Sequence, residues 1–340
     1  MKKALLGLQA VLLSFILVQA LAIAQEDFPR TASGKPDFSG HYDVSTLTPI
    51  ERPSEFGDRL TLSPEELEAL REREINVHAT RSAPTPDRNA PEVGSDVGGY
   101  NYFWYNKGSD GFAIDGEYRT SILTSPENGR MPALTPEGRA KADAAPKYSW
   151  PEKDGAWWLE TGDHPYDGPE KLSLRDRCLF HIDSTIPVTP RVYNNLKTIV
   201  QTDDYLMLYI EWMHWPRIIR INDEEHQPAA LATLDGDSIA WWEGDSLVVE
   251  SVNFLFQPQQ PADRRVIERF RPNADGGLVY SFTVEDTDYT DSYSGEMAWP
   301  KTEQIPYEYA CHEGNHALSG ILAGARFQEV EQRQRNGVEK

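Results

Sequence analysis

Asn273-Ala274-Asp275-Gly276-Gly277-Leu278-Val279-Tyr280-Ser281-Phe282-Thr283-Val284-Glu285 is the stretch that decides the fold. Leu278, Tyr280, Phe282 and Val284 alternate with Val279, Ser281, Thr283 and Glu285, the period-2 pattern of a strand with one buried face. The preceding Asp-Gly-Gly is a hairpin turn, which pairs this strand with Arg265–Arg271. Working outward, similar runs occur at Thr198–Gln201, Tyr205–Met213, Arg217–Ile221, Ser238–Trp242, Leu247–Phe254, Tyr293–Trp299 and Tyr307–Cys311. Most connections are short, as at Glu243-Gly244-Asp245, so neighbours should pair antiparallel. Such a meander must close into a barrel or fold over as a sandwich to hide its edges. The expected fold is mainly β: an antiparallel meander closing into a lipocalin-like barrel around one cavity, with an N-terminal irregular region containing short helices.

Residues 25–150 read as that irregular region and 151–325 as the barrel domain, with a polar tail at 326–340. Ser63-Pro64-Glu65-Glu66 supplies an N-cap, a first-turn proline and a reciprocal glutamate, a capping box that opens a helix to about Glu74. Thr135-Pro136-Glu137 starts a second short helix. Tyr100–Tyr105 and Tyr118–Thr124 read as strands, while residues 79–100 are rich in turn formers.

The first 24 residues form a separate unit. Lys2 and Lys3 precede an apolar run from Ala4 to Ala22, and Ala22-Ile23-Ala24 provides small residues where a signal peptidase cuts. The expectation is a cleaved signal peptide, an export route to the periplasm or medium, and no membrane-spanning segment afterwards. The chain has 54 Asp and Glu against 33 Lys and Arg, a net charge of −21. That imbalance argues against nucleic acid as a partner, because phosphate binding needs clustered cations. Its only two cysteines, Cys178 and Cys311, should form a disulfide in an oxidising compartment.

Five segments share a further property: Gly34-Lys35-Pro36-Asp37-Phe38-Ser39-Gly40; Gly98-Gly99-Tyr100-Asn101 with Phe103-Trp104 and the later Arg119-Thr120-Ser121; Arg177-Cys178-Leu179 with Tyr193-Asn194-Asn195; Trp242-Glu243-Gly244-Asp245-Ser246-Leu247-Val248-Val249; and Tyr309-Ala310-Cys311-His312-Glu313-Gly314-Asn315. Together and in this order they resemble a large family of secreted, β-rich bacterial proteins of unknown function. The resemblance implies export and a β-rich fold, and it transfers no activity. Ile221-Asn222-Asp223-Glu224-Glu225-His226 replaces the family's usual Asp-Gly-Arg-x-His turn, so no role of that arginine carries over.

His312-Glu313-Gly314-Asn315-His316 satisfies the spacing of zinc peptidases, which need both histidines on one helix face. A strand leading into the motif and Gly-Asn within it argue for a turn, so no metal is assigned and no cofactor is expected. Glu211 and His214 differ by three and face opposite sides of a regular strand, although a bulge at Pro216 would break that parity. An ionisable side chain within an apolar aromatic cavity has its proton affinity tuned for acid/base work.

The reading is therefore an exported, metal-free acid/base enzyme (lyase, isomerase or hydrolase) acting on a small organic or carbohydrate substrate. Its candidate catalytic residues are His214, Glu211, His312 and Glu313. Candidate substrate contacts are Arg217, Tyr193, Asn194, Asn195, Trp104 and Tyr209. The alternative is a non-catalytic periplasmic ligand-binding or interaction protein.

Overall fold

The period-2 segments become strands in the protein, seen here as a computed structural model. It is described over residues 28–82, 102–144, 155–162, 164–180, 186–223, 225–255 and 263–337. The expected signal peptide lies outside the described residues. In chain order the strands are β1 (Gly40–Asp43), β2 (Ala113–Ile114), β3 (Glu117–Tyr118), β4 (Leu123–Ser125), β5 (Leu196–Gln201), β6 (Tyr205–Ile210) and β7 (Trp215–Ile221). They continue as β8 (Asp237–Glu243), β9 (Ser246–Val252), β10 (Arg265–Pro272), β11 (Leu278–Glu285), β12 (Tyr293–Trp299) and β13 (Lys301–Thr302). The helices are α1 (Pro64–Ser82), α2 (Pro136–Ala144), α3 (Trp158–Thr161), α4 (Cys311–Gly314) and α5 (His316–Arg335).

Apart from the small β2–β3 hairpin, the strands form one 11-stranded sheet in the order β13-β1-β5-β6-β7-β8-β9-β10-β11-β12-β4. The decisive hairpin pairs as its pattern requires, with Pro272 opposite Leu278 and Arg265 opposite Glu285. Pairing is antiparallel except between β7 and β8, where Arg220 lies opposite Ile239 in a parallel ladder. The long connection over 222–236 allows this, because only a crossover can bring a strand back in the same direction. The strict meander is corrected at that junction. The sheet also recruits β1 and β4 from the region expected to be irregular.

One core cluster collects side chains from across the sheet, including Tyr42, Leu208, Ile219, Ala240, Val249, Phe270, Phe282 and Trp299. At its centre the Trp299 ring lies 4.9 Å from Tyr280, 5.5 Å from Phe270 and 6.2 Å from Tyr42. These rings dominate the buried apolar area, and removing any of them would leave a large cavity. Pro300 alone separates β12 from β13, which sit in the sheet order beside β11 and β1 respectively.

Other expectations are adjusted by local chemistry. The capping box forms, with Glu66 N donating to Ser63 Oγ at 3.2 Å and Ser63 N to Glu66 at 2.7 Å. The helix then runs past Glu74 to Ser82, since residues 75–82 contain no breaker. Tyr102–Trp104 is a 3₁₀ turn instead of a strand, whereas Tyr100 and Asn101 lie outside the described residues. Tyr118–Thr124 divides between β3 and β4. Tyr307–Cys311 pairs with no strand, because the chain has left the sheet before Pro306.

The expected tail from 326 instead begins inside α5. Asn315 caps this helix by accepting from Leu318 N at 3.2 Å. Trp158 anchors it, packing on Ala325 and donating its indole N–H to Glu329 at 2.9 Å. Among the described residues no helix is long and apolar enough to cross a membrane.

Candidate functional site

The turn between β6 and β7 builds one wall of the site. Strand β6 ends at Ile210, and Met213 and His214 both adopt left-handed backbone conformations, with φ of 59° and 44°. This two-residue reversal buries Trp212 and Met213 and leaves His214 exposed. Glu211 is buried behind the turn and accepts a hydrogen bond from Leu196 N at 3.0 Å, tying the turn to the start of β5. Just upstream of β5, Asn195 accepts from Arg191 N at 2.6 Å and donates to Arg191 O and Asn106 O, both at 2.7 Å.

The segment after β13 supplies the opposite wall. Tyr309 places its ring 5.5 Å from Trp212, and its carbonyl accepts from His214 Nδ1 at 3.1 Å. Cys311 then bonds to Cys178, with Cα atoms 5.7 Å apart. The expected disulfide is present and fixes residues 175–178 against 309–311. Of seven described non-glycine residues with positive φ, Cys178, Asn194, Met213 and His214 all belong to these walls. Such conformations cost about 1–3 kcal/mol each and persist only where surrounding contacts impose them.

Between the walls is an open cavity of about 510 Å³ lined by Arg175, Pro190, Arg191, Val192, Tyr193, Trp212, Met213, Tyr309 and Cys311. The Tyr193 ring lies 4.7 Å from Trp212, and the Arg191 guanidinium sits over the Trp212 face at 5.9 Å. Among the described residues, two guanidinium groups and three aromatic rings share a lining without a carboxylate; Asp176 stands outside it, 4.0 Å from Arg175. Among side chains this set can hold an anion by paired N–H donors and a flat apolar body by stacking.

Behind the cavity, Lys197 on β5 points inward with Tyr42 and Ile210 opposite it in register. It is fully buried, and among the described residues its ammonium donates only to Leu196 O, at 3.4 Å. Burial is the main reason its proton affinity falls to about 7; Arg191 adds repulsion, while Glu211 and Asp43 oppose the fall.

The sequence-derived candidates are not gathered at one point. Tyr193 lines the cavity, whereas His214 lies outside the lining and reaches it only through the Tyr309 carbonyl; Asn195 is a buried brace and Asn194 a half-exposed turn residue. Arg217 is engaged elsewhere: completely buried, it donates to both oxygens of Glu268, at 3.0 and 2.5 Å, and to Ser238 and Ser251. Burial disfavours its charge, yet the charge and hydrogen bonds of Glu268 more than compensate and raise its proton affinity. Tyr280 donates to the same carboxylate at 2.7 Å.

Tyr209 faces away from this interior, and its phenol is raised by partial burial, then by Glu211 and Glu308. Trp104 is 58% exposed, away from the cavity. His312 and Glu313 are exposed on α4, and the zinc-peptidase spacing is broken at Asn315, which separates α4 from α5. His312 and His316 thus sit on different helices and do not share a face.

Arg175, Arg191, Trp212 and Tyr309 were not singled out by the sequence. One signal was present: a Cys178–Cys311 bridge makes Arg175 and Tyr309 neighbours, each within three residues of a bonded cysteine. Comparison with protein-family models, curated proteins and solved structures finds no match.

Proposed function

We propose that this chain is an exported protein, periplasmic or secreted, that binds a small organic anion with a flat apolar body in the cavity beside its disulfide. The observation that carries the reading is the convergence of Arg175 and Arg191 with Tyr193, Trp212 and Tyr309 around about 510 Å³. That volume is within the usual range for small-molecule sites. In a chain of net charge −21, a lining that among the described residues carries two cations and no carboxylate focuses attraction on a single anionic guest. Three motifs of the resembling secreted family, Arg177-Cys178-Leu179, Tyr193-Asn194-Asn195 and Tyr309–Asn315, surround this same cavity. Membership of that family is part of the proposal.

The scaffold under this reading is a closed, lipocalin-like barrel. Its support is the single-residue step at Pro300 between β12 and β13, together with the approach of Tyr42 on β1 to Trp299 on β12. A closed sheet would leave no free edge and would hold the cavity walls rigidly at one end.

A second reading, acid/base turnover, is favoured by His214. Its Nδ1–H donates to the carbonyl of Tyr309, a lining residue, which in the neutral ring leaves Nε2 as a basic lone pair. Calorimetric titration of the oxidised protein with 4-hydroxybenzoate and cinnamate tests both readings. Binding should weaken at least tenfold in Arg191→Ala, and chromatography of the recovered ligand shows whether it was converted. Unchanged affinity in that variant, or no binding at millimolar ligand, overturns the binding reading. Turnover that survives His214→Ala overturns the second.

A further inference from the structure

Arg191 is shared by two cavities. On its other side lies a cavity of about 260 Å³, lined among others by Pro190, Arg191, Arg73, Glu74 and Lys107. Its charged groups are three cations and one carboxylate, and that carboxylate already accepts from Tyr102 Oη at 2.8 Å. Among the described residues neither Arg73 nor Lys107 has a carboxylate partner. Neighbouring cations behave otherwise: Arg71, two residues before Arg73, pairs with Asp110 at 2.5 Å and Glu68 at 3.3 Å. Lys107 is held in place without a counterion by the faces of Tyr102 and Tyr105, at 5.9 and 5.7 Å. With 54 acids in the chain, Arg73 and Lys107 kept clear of them among the described residues mark a lining that takes negative charge from a ligand.

We propose that the two cavities are halves of one cleft for an elongated organic dianion, with one anionic group between Arg175 and Arg191 and the other at Arg73 and Lys107. This rests on the anion-binding reading of the first cavity and extends it to a ligand class. Pro190, common to both linings, supplies an apolar saddle for the ligand's middle, and Leu70 on α1 continues it. A bridging ligand gains because its second contact is intramolecular and pays little further association entropy.

Calorimetry tests this with paired probes: phenylalkanoates of increasing chain length, and the same molecules carrying a second carboxylate on the ring. The expected result is one-to-one binding in both series, with one dianion length binding at least tenfold more tightly than its monoanion. In Arg73→Ala/Lys107→Ala that advantage should disappear while monoanion affinity shifts less than twofold; Arg191→Ala should weaken both series. Dianions that bind no better than monoanions overturn the bridging proposal and leave the first cavity's reading intact. Two monoanions binding per chain would do the same. Absence of binding in both series overturns the underlying reading as well.

Discussion

Replacing Lys197 by Met should stabilise the protein at neutral pH. The ammonium is fully buried beside Leu196 O, and its proton affinity falls from 10.5 to about 7. At about 1.4 kcal/mol per tenfold change, that fall corresponds to about 5 kcal/mol of native-state penalty when the lysine is charged. The unfolded chain holds this proton up to about pH 10.5, whereas the folded chain releases it near 7. The penalty is therefore complete below pH 7 and is relieved as pH rises between 7 and 10.5. Met is likewise unbranched, one atom shorter, and removes the titration. The variant's advantage should be about 4 kcal/mol at pH 7, about 2 kcal/mol at pH 9, and close to zero above pH 10.5. Tyr42, opposite in register, is pushed above its usual range by burial and then by Asp37, so it does not titrate in this window. Urea denaturation of both proteins at several pH values reads the difference. A packing change would shift all points equally, so the slope is the diagnostic quantity. A pH-independent difference between variant and parent would refute the reasoning.

Two further outcomes follow from other buried features. Cys178→Ala/Cys311→Ala removes a link across 133 residues, which the chain-entropy model values at about 5 kcal/mol, and should also weaken carboxylate binding because Cys311 lines the cavity. Denaturation and calorimetry measure the two effects, and unchanged values for both would contradict the account. Glu268→Gln should cost about 3–5 kcal/mol by leaving the Arg217 charge buried without its counterion, whereas adding Arg217→Met should recover at least half of that loss. Equal stability of the single and double variants by urea denaturation would refute the uncompensated-charge explanation.

The strands were legible where one face is apolar and turns are short, as in β8 to β11, because period-2 burial leaves few other arrangements. The capping box at Ser63 and the disulfide were legible for equally local reasons. Lys197, Arg217 and Glu268 were harder, since a charged residue at an inward strand position looks the same in sequence as one facing water. Arg217 on β7 and Glu268 on β10 meet across two intervening strands, a contact that neither strand's own pattern announces. The parallel β7–β8 pairing depends on how residues 222–236 cross over, which carries no periodic signal. The cavity was least legible: its lining comes from positions near 175, 191, 212 and 309, and no window of sequence holds them together. His214 and Arg217 lay near the right place, but two left-handed residues at 213 and 214 reversed the chain and sent the two side chains to opposite destinations.

The pairing of β1 has a consequence for how the chain is made. This strand emerges first, yet its partners are residues 196–199 on one side and 301–302 on the other. At roughly 5–20 residues per second, the last partner follows by about ten to fifty seconds of synthesis. Until residues 196–199 exist, β1 carries unpaired backbone groups on both edges and cannot nucleate the sheet. Folding must begin in the local hairpins of β8 to β11 and finish by capturing the oldest part of the chain. A protein assembled in that order stays unfinished until its C-terminal third exists.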